Sequence, residues 1–132
     1  MVNMDYKLLN PLTLAYMGDA TLDQHVRQHI ILKLKSKPNQ LHQAAKQYVS
    51  AKSQAQTLEQ LMEEGWFTEE EQDIVRRGRN AKSYTKAKNT DIQTYRKSSG
   101  LEAIIGFLYL DGREERLEAL LHYIVQCVEE RA

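Results

Sequence analysis

The chain has 132 residues, with 18 basic and 18 acidic side chains, four histidines and one cysteine, Cys127. That length can bury one ordinary core, so residues 1–132 are expected to form a single domain without metal or disulfide staples, and a lone cysteine excludes an intramolecular disulfide. No apolar run approaches the roughly 18 residues of a membrane span, and Met1-Val2-Asn3-Met4-Asp5-Tyr6-Lys7 carries no basic and apolar leader, so a cytoplasmic protein is expected.

In chain order, Asn10-Pro11 reads as a helix N-cap followed by proline at the first helical position. Leu12, Ala15, Tyr16 and Asp19 then fall at i, i+3, i+4 and i+7, which predicts an inward face that carries Asp19. The pattern resumes through Leu22, Val26, Ile30 and Leu34. Pro38 opens a second helical region with Leu41, Ala44, Ala45 and Tyr48 on one stripe, followed by Ala51 to Glu64 with Ala55, Leu58 and Leu61, stopped by Gly65. Thr68-Glu69-Glu70-Glu71 is a capping box, and its helix is expected to run to about Arg77 and end near Gly78. Asn80 to Asn89 lacks periodicity and reads as a loop. A helix follows from Asp91 or Ser98 to Leu110, ended by Asp111-Gly112. Residues 113–130 make a last helix with Leu117, Leu120, Leu121, Ile124 and Val128 inward. Strand signals are nearly absent, so the expected fold is all-α, a bundle of six or seven helices.

Two acids stand out against that pattern. Asp19 lies in the apolar run Leu12 to Ala20. Glu102 is the only charged residue between Leu101 and Leu110. A carboxylate in apolar surroundings is costly unless it is paired or binds a cation, so the two point to a site for a hard divalent metal. Each also has a plain structural reading. Asp19 could cap a following helix, and Glu102 could sit solvated in a first helical turn if Ser98 or Ser99 were the cap. Gly18 and Gly106 bear on the choice: glycine inside a helix costs about 1 kcal/mol against alanine, and a close approach of another backbone would explain both.

The zero formal charge hides a split. Arg76 to Lys97 holds eight basic residues against Asp91 alone, which leaves ten basic and seventeen acidic residues elsewhere. Within this block Arg76, Arg77, Arg79, Lys82, Lys86 and Lys88 are interleaved with Asn80 and Ser83, a set suited to phosphates and ribose hydroxyls. A solvated charged face is the alternative. His25 and His29 share a helix face but lack a third ligand at metal spacing, and they read as surface or half-buried residues; Cys127 reads as a small hydrophobe.

Leu14-Ala15-Tyr16-Met17-Gly18-Asp19-Ala20 resembles the signature of the ribonuclease III family, and Leu101-Glu102-Ala103-Ile104-Ile105-Gly106 resembles its second acidic motif. Val49-Ser50-Ala51-Lys52 and Arg77-Gly78-Arg79-Asn80-Ala81-Lys82 extend the likeness over essentially the whole chain. With no double-stranded-RNA-binding domain in so short a sequence, the resemblance is to the Mini-III branch of that family. It departs from the general pattern at Ala15 and Ser99, where the family has two further acids.

The resemblance implies a ribonuclease III catalytic-domain fold and a homodimer. It also implies magnesium-dependent endonucleolytic cleavage of double-stranded RNA, with Asp19 and Glu102 as catalytic residues and metal ligands and manganese able to substitute. The products would carry 5′-phosphate and 3′-hydroxyl ends, and the substrate would be precursor ribosomal RNA, with a role in maturing the 23S species. Arg76, Arg77, Arg79, Asn80, Lys82, Ser83, Lys86 and Lys88 are the candidate RNA contacts. Two competing readings remain: a catalytically silent RNA-binding module on the same fold, and a helical adapter that binds proteins through an apolar face.

Overall fold

A computed structural model describes residues 4–34, 37–81 and 91–132; the expected loop from Asn80 to Asn89 falls mostly outside them. A 3₁₀ turn at Tyr6–Leu8 precedes six α-helices: α1 (Pro11–Leu34), α2 (Pro38–Val49), α3 (Ala51–Glu63), α4 (Glu69–Asn80), α5 (Ile92–Leu110) and α6 (Glu114–Arg131). No strand occurs among the described residues, in agreement with the all-α expectation.

The helix ends follow local chemistry. The Asn10 side chain accepts from the Leu12 amide at 2.9 Å, and Pro11 takes the first helical position. Ser50 divides α2 from α3: its side chain accepts from the Ser53 amide at 3.2 Å. Gly65 turns the chain with φ 63°, a left-handed conformation that costs glycine nothing. Thr68 and Glu71 form the reciprocal capping box that the sequence predicts. Asp91, not Ser98 or Ser99, caps α5 by accepting from Thr94 at 2.8 Å. Glu102 therefore lies well inside α5, and the first-turn reading of it is excluded.

The central helix is α5. Ser98 to Leu108 are buried on every side, with Glu102 alone half-buried among them. Such a helix must have neighbours all round, and α1, α3, α4 and α6 supply them. Leu14, Leu22 and Ile30 of α1 pack with Leu101, Ile104, Ile105, Phe107 and Leu108 of α5, Leu58 and Leu61 of α3, Ile74 of α4 and Leu120 and Ile124 of α6.

Two glycine pairs set how closely α5 is approached. A Cβ at Gly18 would sit 1.7 Å from the Glu102 carbonyl oxygen, and one at Gly106 would sit 1.8 Å from the Leu14 carbonyl oxygen. The backbones of α1 and α5 therefore touch, and only glycine fits at either point. On the other flank Gly78 of α4 faces Gly100 of α5, where a Cβ would meet Gly100 Cα at 3.0 Å.

These contacts correct two sequence expectations. The buried face of α1 runs Leu14, Gly18, Leu22, Val26 and Ile30 in steps of four, with Ala15 beside it. Tyr16 is 81% exposed and Asp19 is exposed as well, so Asp19 is not on the inward stripe. The expected stripe failed because it was counted from Leu12 rather than along the row of Leu14, Gly18 and Leu22. Nor is Gly78 a helix stop: α4 continues to Asn80 because Gly78 is a buried contact point.

Two polar clusters tie the outer helices down. Glu71 is only 2% exposed, and Arg116 of α6 grips both its carboxylate oxygens at 2.7 and 2.8 Å. The Arg116 guanidinium also donates to the Trp66 carbonyl at 2.7 Å and lies 3.7 Å from the centre of the Trp66 ring. Burial alone would raise the Glu71 carboxyl, but Arg116 and the Thr68 amide hold it below its ordinary value. In the second cluster one oxygen of Glu129 on α6 receives Lys33 at 2.7 Å, Tyr48 at 2.8 Å and His29 at 2.8 Å, linking α1, α2 and α6.

Candidate active site

The α1–α5 contact fixes where the two acids stand. Gly18 rests against the Glu102 carbonyl, so Asp19, the next residue of α1, is carried to the rim of the crossing beside the Glu102 side chain. Their carboxyl groups meet. Burial, a hydrogen bond with Asp19 and repulsion from the Asp19 charge together push the Glu102 carboxyl up to about 8, with a contact from Gln54 pulling the other way. Two acids 83 positions apart in sequence thus stand side by side at the edge of the core.

Gln54, on the first turn of α3, is the third member of this group. It is 2% exposed, and its Nε2 donates to the Val49 carbonyl at 2.9 Å and to Glu102 Oε2 at 3.4 Å. It is not among the residues the sequence singles out. The available signal was its spacing: Gln54, Leu58 and Leu61 fall at i, i+4 and i+7, so an amide occupies an inward position of α3.

The donor set suits a small hard cation. Asp19 is exposed and Glu102 is half-buried, and two carboxylates side by side offer the hard oxygen donors such an ion takes. Among the described residues no three His, Cys, Asp or Glu side chains group to hold a metal. Ala15 and Ser99, which stand where the family pattern has further acids, are 7% and 5% exposed. Ser99 backs onto Gly78, so a carboxylate there would be desolvated in a helix contact.

The basic candidates divide. Arg76 is largely exposed and pairs with Asp73 one turn back on α4. Arg77 is committed to structure: its guanidinium donates to the carbonyls of Lys7 and of Leu9, the latter at 3.1 Å, clasping the N-terminal segment to α4. Arg79 is half-buried, with its stem close over Gly100, and Asn80 is exposed at the end of α4. Lys82, Ser83, Lys86 and Lys88 lie outside the described residues. His25 and His29 are half-buried as expected, with His29 engaged by Glu129. Cys127 is buried. No described helix is long and apolar enough to cross a membrane.

A helical bundle whose central helix carries a glutamate against the aspartate of a Gly-Asp pair defines a class of protein, and sequence comparison agrees on which. The profile of the Ribonuclease III domain matches residues 12–113, so the chain belongs to the ribonuclease III family and is an endoribonuclease. Among its relatives, it is 77% identical to Mini-ribonuclease 3 of Staphylococcus aureus over 95% of this chain and 93% of that protein. It is 52% identical to Mini-ribonuclease 3 of Brevibacillus brevis over 95% of this chain and 92% of that protein, and 48% identical to the Streptococcus pneumoniae protein of the same name over 96% and 98%. The fold is also similar to a crystal structure of a Fusobacterium nucleatum protein, with a TM-score of 0.80 and 26% identity over 94% of this chain and 98% of that one.

Proposed function

We propose that the chain, acting whole as one catalytic domain, cleaves double-stranded RNA at a magnesium site formed by Asp19 and Glu102. The observation that carries this reading is the meeting of the two carboxyl groups at the glycine crossing of α1 and α5. A magnesium ion there would activate the attacking water and neutralise charge at the phosphate, with manganese as a substitute. The chain's own part is to hold two acidic side chains in register on a rigid helix contact, and to do so beside solvent, where a nucleic-acid backbone can reach them. Water oxygen bonds to phosphorus, the bond from phosphorus to the 3′ oxygen breaks, and the products carry 5′-phosphate and 3′-hydroxyl ends.

The catalytic domain is also proposed to grip the duplex itself. Double-stranded RNA presents phosphates and 2′-hydroxyls across a shallow minor groove and is bound mainly through shape and charge. Arg76, Arg79 and Asn80, followed in sequence by Lys82, Ser83, Lys86 and Lys88, are the proposed contacts. Arg77 belongs with them in sequence, but its guanidinium serves the N-terminal clasp. A homodimer would bring two such sites to one duplex, one per strand; α1 exposes Tyr16, and α5 exposes Ile92 and Tyr109, as apolar surface for it. The Mini-III likeness extends the proposal to the 23S ribosomal RNA precursor in the cytoplasm.

The test is cleavage of a duplex RNA in magnesium and in chelator, with wild type and Asp19→Asn. Magnesium-dependent cutting that disappears in the variant, with RNA binding retained, is expected. Cutting that survives either chelator or the substitution would overturn the assignment, and binding without any cutting would point to the silent module.

A further inference from the structure

We propose that Gln54 is a positioning residue for the acid pair: its side-chain amide holds the Glu102 carboxyl toward Asp19. The inference rests on the reading of Asp19 and Glu102 as a divalent-cation site. Its own starting point is different, an amide that the fold satisfies on one end only. Gln54 Nε2 has two hydrogens and uses them on the Val49 carbonyl at 2.9 Å and on Glu102 Oε2 at 3.4 Å. Gln54 Oε1 is buried and has no hydrogen-bond partner among the described residues.

The amide cannot be turned over to relieve this. A flip would set Oε1 against the Val49 carbonyl, acceptor facing acceptor, and would still leave a buried polar atom unmatched. Val49 is the last residue of α2, so its carbonyl is one of those a helix end leaves without an intrahelical partner. Capping it explains half of what Nε2 does. It does not explain a buried, unpartnered oxygen, which is a net cost to folding that an apolar side chain of similar length would avoid. The second hydrogen supplies the missing reason. It reaches Glu102, the charged side chain in the apolar stretch of α5, and holds that carboxyl toward Asp19. The 3.4 Å separation is at the long end for such a bond.

The experiment compares the full-length wild type, Gln54→Met and Gln54→Leu by thermal unfolding in chelator and by manganese titration followed by electron paramagnetic resonance, with Asp19→Asn as the control that locates the site. The expected result is a metal-free unfolding midpoint for Gln54→Met equal to or above that of wild type, with manganese binding weakened about tenfold or more. Gln54→Leu should behave alike, so a folding defect in one variant does not decide the matter. A lowered midpoint together with unchanged manganese affinity would reduce Gln54 to a cap on α2 and overturn the inference alone. If wild type and Asp19→Asn bind manganese equally, the cation site itself is wrong and the inference falls with it.

Discussion

Glu71 and Glu102 are two glutamates in the same bundle, and the fold treats them in opposite ways. Glu71 is almost fully buried, yet Arg116 chelates both its oxygens and the Thr68 amide adds a third donor, so it stays ionised. Glu102 is less buried, yet its neighbours are a second acid and one end of an amide, and its carboxyl is pushed up to about 8. Depth therefore does not separate them; completeness of pairing does. A buried carboxylate with its own cation stabilises a corner of the fold, whereas one placed against another carboxylate is a candidate functional site.

The same conservative change at the two positions should break this contrast open. Glu102→Gln and Asp19→Asn are expected to lower cleavage roughly a thousandfold, the scale of losing a principal electrostatic group at a reacting phosphate, with an unfolding midpoint in chelator no lower than wild type. Glu71→Gln should do the reverse, costing about 3 kcal/mol of stability by leaving Arg116 without its charge, with kcat of the folded fraction unchanged. Equal losses of activity at both sites would remove the distinction. Between these lies Gly106→Ala. Its Cβ would fall 1.8 Å from the Leu14 carbonyl oxygen, so α1 and α5 must separate, at about 3 kcal/mol, and cleavage should fall with the misaligned acids.

Smaller effects sharpen the picture at the periphery. Neutralising Arg76 and Arg79 together should weaken duplex binding and reduce its salt slope by about two phosphate contacts, while Arg77→Gln should chiefly loosen the N-terminal segment, read as faster proteolysis before Pro11. Glu129→Gln should cost about 1 kcal/mol or less, because the cluster is partly exposed. Lys33 and His29 hold the Glu129 carboxyl down at about 2, against burial, with Tyr48 adding a weaker pull. A depressed carboxyl stabilises above its unfolded value of 4.5 and loses that contribution as pH falls toward 2. The stability gap between wild type and this variant should accordingly be constant near neutral pH and close across that acidic window.

Much of the bundle was legible because it rests on periodicity and caps. The inward face of α6, the Thr68–Glu71 box and the break at Gly65 all follow from local chemistry. What was misread has two causes. The α1 stripe was counted from Leu12, so Asp19 was placed inward. Gly78 is an interior contact with no side chain, and hydrophobic spacing assigns it no weight, so α4 was cut short. That Gly18 and Gly106 mark a close approach of two backbones is legible because each interrupts an otherwise apolar helical run. The acid pair itself was legible as two anomalies, but not as a contact, since the crossing that joins them is made by backbone. Gln54 went unread because a single glutamine carries no pattern until its neighbours in space are known.

The central proposal is a cation held between Asp19 and Glu102, and manganese-soaked crystals test it most directly. An anomalous peak within bonding distance of both carboxylates, absent from Asp19→Asn crystals prepared alike, is the predicted result. A peak elsewhere on the molecule, with none at the α1–α5 crossing, in an enzyme that still cleaves RNA with manganese, would contradict it.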